Sequence, residues 1–116
     1  MEFLNLTPHP VHIILDDRVI VIEPSGMVAR LKMTQEEIGE LSGIPIVKTY
    51  LDDVEGLPEP REGVIYIVSS LVCQALAGKR NDIVAPDTSP NGAIRDEEGN
   101  IIGVRRFQVY AFKDGD

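Results

Sequence analysis

The sequence predicts an α+β fold: a mixed or mainly antiparallel sheet built from hairpins, with two short helices. Three observations support this fold class. Short runs of Val, Ile and Leu alternate with turn-forming residues, and the 116 residues include 10 Gly and 8 Pro. Pairs of apolar runs flank charged turns, as they do in β-hairpins. Only two segments carry the start and stop signals of a helix. Since no repeat or linker interrupts the chain, we expect residues 1–116 to form a single ligand-binding domain.

Two hairpins are predicted where apolar runs lie on either side of a charged turn. The first joins Val11–Leu15 to Val19–Glu23, and the second joins Ala93–Arg95 to Ile101–Phe112. Val64–Val68 is strongly apolar and is expected to be a central strand. Further strands are predicted at Phe3–Leu6, Met27–Met33, Ile44–Tyr50 and Ile83–Ala85.

The first predicted helix begins at a capping box. Thr34 and Glu37 have the required spacing, and the helix is expected to continue to about Leu41 and to end at Ser42-Gly43. The segment Leu51–Gly63 is rich in Asp, Glu, Pro and Gly, so it is predicted to be a surface loop. Its paired aspartates are explained by turn formation and solubility.

The second predicted helix follows the central strand. Ser69 or Ser70 is expected to cap a helix over Leu71–Ala77, and Gly78 is expected to end it. The segment Pro86–Gly92 contains two prolines and a glycine and is predicted to be a long irregular loop.

Composition excludes several kinds of partner. The net charge of −8 argues against a nucleic-acid duplex or an anionic membrane, because both select for basic surfaces. The chain has one Cys, so no internal disulfide is possible, and no signal peptide or membrane-spanning stretch is recognisable. These features predict a cytoplasmic protein. A domain this small would gain stability by pairing, so a homodimer is expected.

No set of residues completes a catalytic or metal site in the sequence. His9 and His12 are three residues apart in a segment that Pro10 keeps extended, so their side chains are expected on opposite faces. Cys73 has no base near it in sequence and is expected to be buried. Ser69 opens a helix without the glycines of a nucleophile elbow. We therefore predict no catalytic residue, no metal and no cofactor.

The candidate ligand-binding residues lie in the C-terminal third. Polar side chains there occupy strand ends and one long loop, where sites commonly form on a rigid sheet. Arg makes bidentate contacts to phosphate and stacks on bases, whereas Thr, Asn and Asp suit ribose hydroxyls and base edges. The candidates are Arg80, Asn81, Asp82, Asp87, Thr88, Asn91, Arg95, Arg105 and Phe107.

Arg105 is singled out by its predicted environment. If Arg105–Ala111 is a regular strand, the Arg105 side chain shares a face with three apolar residues. An Arg in such a place needs a carboxylate, a phosphate or an interface partner. The alternative to a ligand is a salt bridge to Asp82 or Asp87. A bulge at Gly103 would reverse the facing and remove the argument.

Five groups of residues occur in one order along the chain, from about Leu4 to Phe112. They are Asn5-Leu6-Thr7-Pro8-His9, Pro24-Ser25-Gly26 with Ala29-Arg30, Tyr66-Ile67-Val68-Ser69, Arg80-Asn81-Asp82-Ile83-Val84-Ala85-Pro86-Asp87, and Gly103-Val104-Arg105-Arg106-Phe107. As an ordered set they resemble a family of small phage and prophage proteins that includes the Thoeris anti-defence sponges of the first type.

The resemblance implies a function and a site. Such sponges bind cyclic ADP-ribose isomers made by bacterial TIR-domain defence proteins and hold them without cleavage, inside the bacterial host cell. They form homodimers, some assemble into hexamers, and some also bind cyclic oligonucleotides. Asn91 and the Arg residues best match the family's pocket, and Phe107 or Tyr110 would provide a flat partner for adenine.

The leading interpretation of the sequence is therefore a non-enzymatic sponge for a cyclic ADP-ribose-type signal. One alternative is an enzyme acting on such a nucleotide, either a phosphodiesterase or an ADP-ribose hydrolase. It would need a metal cluster or an acid–base pair. The other alternative is a phage protein–protein interaction module, which predicts no binding of a small molecule.

Overall fold

The structure is a computed structural model that describes residues 1–113, so the last residues of the predicted domain, up to Asp116, lie outside the described part. Residues 1–113 form ten strands and one helix. In chain order these are β1 Glu2–Asn5, β2 Val11–Ile14, β3 Val19–Ile22, β4 Arg30–Leu41, β5 Ile44–Glu55, β6 Val64–Ile67, α1 Ser70–Ala75, β7 Ile83–Pro86, β8 Ala93–Arg95, β9 Ile101–Val104 and β10 Phe107–Gln108.

The first sheet has four strands in the order β1-β6-β7-β10. β1, β6 and β7 run parallel, and β10 closes one edge in the antiparallel direction. The segment predicted as a central strand forms β6, at an interior position of this sheet. Tyr66 and Ile67 follow each other in β6 and are both fully buried, because both faces of the sheet are covered.

The second sheet has four strands in the order β3-β2-β9-β8 and contains both predicted hairpins. β2 pairs with β3 and β8 pairs with β9, each in the antiparallel direction. A parallel bridge between Ile13 and Val104 joins the two hairpins. Since both sheets combine parallel and antiparallel pairs, the predicted mixed sheet is confirmed.

Two apolar clusters hold the layers together. One lies between the two sheets and consists of Val11, Ile13, Ile67 and Val104. The other lies between the first sheet, α1 and the residues just before β4. It consists of Leu6, Ala29, Val64, Tyr66, Val68, Val72, Cys73, Ile83 and Ala85. β6 contributes to both clusters, because alternate side chains of a strand point to opposite faces.

The first predicted helix is wrong, because residues 30–41 form strand β4 instead. β4 pairs with β5 along its whole length in a separate two-stranded sheet. Ser42-Gly43 is the two-residue turn of this hairpin, and the φ angles of +52° and +81° are both positive, as a type I′ turn requires. The β-branched and aromatic residues of β5 favour pairing, and this outweighs the capping-box spacing in β4. The described residues thus contain one helix rather than two.

The predicted loop Leu51–Gly63 is also shorter than expected. β5 continues to Glu55, so Asp52 and Asp53 lie in a strand and not in a turn. The extension is explained at its end, where Val54 pairs with Leu31 and both side chains pack against the larger core cluster. Burial of Leu31 and Val54 stabilises strand pairing at this end, so β5 extends through the polar residues Asp52 and Asp53.

The second predicted helix is confirmed as α1. Ser69 is its N-cap, and its side chain accepts a hydrogen bond of 3.3 Å from the backbone N–H of Val72. The helix ends at Ala75, two residues earlier than predicted, and Gly78 follows with a φ angle of +77°.

The predicted strand from Ile101 to Phe112 is interrupted at Arg105. β9 ends at Val104 in the second sheet, and β10 begins at Phe107 in the first sheet. The chain bends at Arg105 because it passes from one layer to the other. Arg105 is exposed, and the predicted apolar face shared with Phe107 does not form.

Candidate ligand-binding site

The segment that opens the family resemblance is explained by one buried side chain, Asn5. Its Nδ2 donates to the carbonyl oxygens of His9 and Ile22, each at 2.9 Å. Its Oδ1 accepts from the backbone N–H of Thr7 at 2.9 Å and from the Thr7 hydroxyl at 2.7 Å. Asn5 therefore holds the turn after β1 and ties it to the end of β3. These residues build the frame of the molecule rather than a binding surface.

Arg80, Asn81 and Asp82 lie at the start of β7, and two of them form an ion pair. The Nε and Nη2 atoms of Arg80 each donate to a different oxygen of Asp82 at 2.8 Å. Nη2 also donates to the carbonyl oxygen of Pro58 at 3.0 Å. This hydrogen bonding raises the pKa of Arg80 and lowers the pKa of Asp82. The Arg80 guanidinium thus stabilises the loop before β6. Asn81 beside it is exposed.

A second ion pair lies at the other end of β7. The Nε of Arg106 donates to Oδ2 of Asp87 at 2.6 Å, and the backbone N–H of Ser89 donates to Oδ1 at 3.0 Å. Hydrogen bonds from Ser89 and then from Arg106 lower the pKa of Asp87 to about 2. The Asp87 side chain is 8% exposed, whereas that of Arg106 is 57% exposed. The carboxylate therefore acts as an anchor, and much of the guanidinium remains open to solvent.

We call the surface formed by residues 87–92 and 105–106 the corner site. Two backbone hydrogen bonds join its halves: Asp87 N–H to the carbonyl of Arg106 at 3.0 Å, and Arg105 N–H to that of Gly92 at 2.7 Å. Gly92 lies so close to Asp87 that a Cβ at this position would overlap the carboxyl carbon. Thr88 and Asn91 are exposed in the same loop.

The structure therefore brings together four of the predicted site residues, Asp87, Thr88, Asn91 and Arg105. The Arg80–Asp82 pair lies at the opposite end of β7, about 13 Å away for a strand of four residues. The two groups do not form one pocket.

Arg95 lies at the far end of a hairpin from the corner site. It pairs with Ile101, and its Nη1 donates to the carbonyl oxygen of Gly99 at 2.6 Å in the turn between β8 and β9. Ala93, at the beginning of the same strand, pairs with Val104 next to the corner site. The Arg95 guanidinium thus stabilises this turn.

Phe107 is half-buried beneath the corner site. Its ring packs against the cluster between the two sheets, and the ring of Phe3 lies 5.4 Å away between centroids. Beside Thr88, a shallow groove of about 180 Å³ runs between β2 and β9 and is also lined by His12. Its volume is below the range of about 300–1,000 Å³ that is usual for ligand pockets.

Arg106 belongs to the site although the sequence singles out Arg105. The salt bridge to Asp87, which is the alternative role predicted for Arg105, is formed by Arg106. The sequence shows only that two adjacent arginines follow β9. In an uninterrupted strand Arg105 would point inward. Because the chain bends at Arg105, Arg106 contacts Asp87 instead.

The other reactive side chains do not converge on the corner site. Cys73 is buried, as predicted, and burial raises the pKa of its thiol although a hydrogen bond to the backbone of Tyr110 acts in the opposite sense. Within residues 1–113, no group of three or more His, Cys, Asp or Glu side chains is arranged to hold a metal ion. No helix in that range has the length and apolarity to cross a membrane.

Comparisons of the chain with protein-family models, with curated proteins and with solved structures found no match.

Proposed function

We propose that this chain is a non-enzymatic binding protein that sequesters a small phosphate-bearing nucleotide of the cyclic ADP-ribose type at the corner site. In a bacterial cell this would withdraw the signal from Thoeris defence. The proposal joins the family resemblance to the chemistry of four exposed side chains, Arg105, Arg106, Thr88 and Asn91.

The observation that carries the proposal is the orientation of Arg106. Asp87 holds its Nε, so the terminal Nη groups extend from a fixed anchor at the protein surface. An oriented guanidinium loses less side-chain entropy when it binds, and two Nη donors match two phosphate oxygens. Arg105 precedes Arg106 in the chain, is also exposed and adds a second positive charge.

The polar residues of the loop supply the remaining contacts. Thr88 and Asn91 offer a hydroxyl and an amide to ribose hydroxyls or to the edge of a base. The loop is held in shape by Asp87 and by the close packing of Gly92. Two neighbouring arginines make this corner locally cationic despite the net charge of −8.

The state of Asp87 favours binding over hydrolysis. A carboxyl group with a pKa of about 2 stays ionised at neutral pH, so it does not serve as a general acid. It is also a weak general base, because its low pKa gives little driving force for proton removal. The hydrogen bonds that it accepts from Ser89 and Arg106 support a role in positioning the loop and the Arg106 guanidinium.

The size of the groove beside Thr88 bears on how the ligand is held. At about 180 Å³ it takes only part of a cyclic dinucleotide-sized molecule. Further enclosure would come from a second protomer, in line with the homodimer or hexamer that the resemblance implies.

Calorimetry with cyclic ADP-ribose tests the proposal. We expect Arg105→Ala and Arg106→Ala each to weaken binding by roughly thirtyfold, about 2 kcal/mol, the lower end of the range for truncating one partner of a charge pair. Arg18→Ala removes an exposed Arg from the turn between β2 and β3 and should bind like the wild type. Arg95→Ala should lose less than Arg105→Ala, because its guanidinium contacts Gly99.

The fate of the ligand separates the alternatives. After incubation, heat denaturation should release cyclic ADP-ribose unchanged. Recovery of a linear product would identify a hydrolase instead. Absence of any binding heat or thermal stabilisation, with cyclic ADP-ribose isomers and cyclic oligonucleotides alike, would favour a protein–protein interaction module.

A further inference from the structure

The groove of about 180 Å³ between β2 and β9 adjoins the corner site at two points. Thr88 belongs to both, because it lines the groove and lies in the loop of the corner site. Val104 also lines the groove, and Arg106 follows it by two residues, which span at most about 7 Å. A ligand that is held by a phosphate at Arg106 can therefore reach the groove with its neighbouring group.

The lining of the groove is mostly apolar and carries no formal charge. Its apolar side chains are Pro10, Val11, Pro86, Ile101, Ile102 and Val104. Within residues 1–113, no Asp, Glu, Lys or Arg lines it, and its polar side chains are those of His12 and Thr88. A phosphate in the groove would lose water without gaining a cation. The groove thus suits an uncharged and partly apolar group of a ligand whose charge lies at the cationic corner.

The groove opens where β2 and β9 separate. Within the described chain these strands pair only at Ile13 and Val104. A parallel ladder would continue with Val11 opposite Ile102, but these two residues line the groove instead of forming a pair. Backbone N–H and C=O groups are strong hydrogen-bonding groups, so the two diverging strands can meet the polar edge of a ligand.

His12 is the aromatic side chain of the groove, and it is exposed. Imidazole is one of the rings on which nucleobases stack in proteins. Within the part of the chain that the structure describes, neither aromatic residue that the resemblance suggests for adenine lines the groove. Phe107 packs between the two sheets, and Tyr110 packs against the larger cluster. A Cβ at Gly103 would lie 3.0 Å from the carbonyl oxygen of His12, so the glycine leaves His12 undisturbed.

We infer, on the basis of the proposed function, that this groove binds the base of the nucleotide, with the His12 ring stacked on the base and the phosphates at Arg106. In a nucleotide one ribose separates the base from the 5′-phosphate. Thr88 is shared by the groove and the corner site, so its hydroxyl lies where that ribose passes. The small volume of the groove agrees with a single ring system rather than a whole nucleotide.

A ligand of this protein then needs two kinds of group. A phosphate without a base contacts only the arginines of the corner site, and a free base contacts only the groove. A molecule that carries both gains from both surfaces, because binding at one holds the other group at a high local concentration. The pair of surfaces therefore selects nucleotides over inorganic phosphates and over sugar phosphates that lack a base.

Titrations with AMP and ribose 5-phosphate test the role of the groove, because AMP adds a base to the same sugar phosphate. We expect the wild type to bind AMP about tenfold more tightly, near the lower end of what one stacked base contributes. His12→Ala should remove most of this advantage and leave the affinity for ribose 5-phosphate unchanged. His9→Ala is the matched control, since His9 is an exposed histidine that does not line the groove. Arg106→Ala should weaken the binding of both probes.

NMR spectra of the unmodified chain locate the base directly and do not depend on how a variant folds. AMP should shift the amide signals of His12, Ile102 and Gly103, whereas ribose 5-phosphate should shift only those of the corner site. Nuclear Overhauser effects between the adenine protons and the His12 ring should appear with AMP. Shifts from the base that fall outside the groove would overturn the inference.

The failure of the groove and the failure of the proposed function give different results. If the wild type binds AMP and ribose 5-phosphate equally and Arg106→Ala weakens both, the groove does not bind the base, while the proposed function stands. The same holds if His9→Ala and His12→Ala lose the AMP advantage equally. If the wild type binds neither probe and no cyclic ADP-ribose, the proposed function and the role of the groove are both wrong.

Discussion

Asn5, Asp82 and Asp87 are the buried polar residues of the described chain, and each of them organises a junction of the fold. Asn5 ties the turn after β1 to the end of β3. Asp82 orients Arg80 toward the Pro58 carbonyl, and Asp87 orients Arg106 at the corner site. A buried polar atom is costly unless it is hydrogen-bonded, so these side chains specify particular neighbours in a way that apolar residues do not.

Asn5→Ala should lower the free energy of unfolding by about 3 kcal/mol. The change removes both donors and the acceptor of Asn5, and it leaves the carbonyls of His9 and Ile22 without their partner. Urea denaturation measures the loss. Asn81→Ala, at an exposed position, is the control and should change stability by less than about 0.5 kcal/mol. Equal stabilities of the two variants would contradict the role given to Asn5.

Asp87 should lose its contribution to stability in strong acid. Its pKa is about 2 in the folded protein, below the value of about 3.9 in an unfolded chain. Because the folded-state pKa is the lower one, the stabilisation is complete above about pH 4 and disappears as the pH falls toward 2. Melting temperatures of the wild type and of Asp87→Asn between pH 2 and 6 measure this dependence. The wild type should lead at pH 6, and its lead should shrink toward pH 2; a constant difference would refute the assignment.

At the scale of elements, the N-cap signal predicts a helix correctly at Ser69 and wrongly at Thr34. Ser69 caps α1 as its sequence position predicts, and the helix packs Val72 and Cys73 into the core. Thr34 has a similar signature, but it lies in β4 opposite Tyr50. The difference lies in the partner, because a helix needs only its own residues for hydrogen bonds, whereas a strand is decided by the segment that pairs with it.

Removal of the α1 cap should cost about 1 kcal/mol. Ser69→Ala leaves the Val72 N–H without its 3.3 Å acceptor at the N-terminus of a six-residue helix. Ser70→Ala changes the adjacent serine, the first residue of the helix, and should be nearly neutral. Chemical denaturation of both variants provides the comparison. A greater loss of stability for Ser70→Ala than for Ser69→Ala would show that Ser69 is not the cap.

At the scale of the whole molecule, two mixed sheets and α1 form a layered body from which one hairpin extends. The principal extents of 53, 40 and 33 Å describe an elongated particle. The corner site lies at a junction between the two sheets, where the chain passes from β9 to β10. The hairpin of β4 and β5 begins at the core cluster on the other face of the first sheet. The proposed ligand site and the hairpin of β4 and β5 thus lie at different parts of the same body.

The melting temperature should depend on protein concentration if the chain forms the expected homodimer. Association of native chains stabilises them by mass action, so dilution over a hundredfold range should lower the melting temperature of the wild type. Differential scanning fluorimetry at several concentrations measures this shift. A wild type that is insensitive to dilution would show that a second copy does not contribute to its stability.

Local sequence signals determined much of this protein by themselves. The hairpins β2–β3 and β8–β9, strand β6, helix α1 with its serine cap and the burial of Cys73 follow from apolar periodicity, turn residues and caps that act over a few neighbouring positions. Only the tertiary structure decided that residues 34–41 form a strand, because their partner lies beyond the Ser42-Gly43 turn in β5. It also decided that Arg106 rather than Arg105 binds Asp87, and that β7 separates this pair from Arg80 and Asp82. The first outcome depends on a hairpin partner that outweighs the helix signal in β4. The other two depend on where the chain bends between layers and on which distant strands become neighbours, and such pairing leaves no local mark in the sequence.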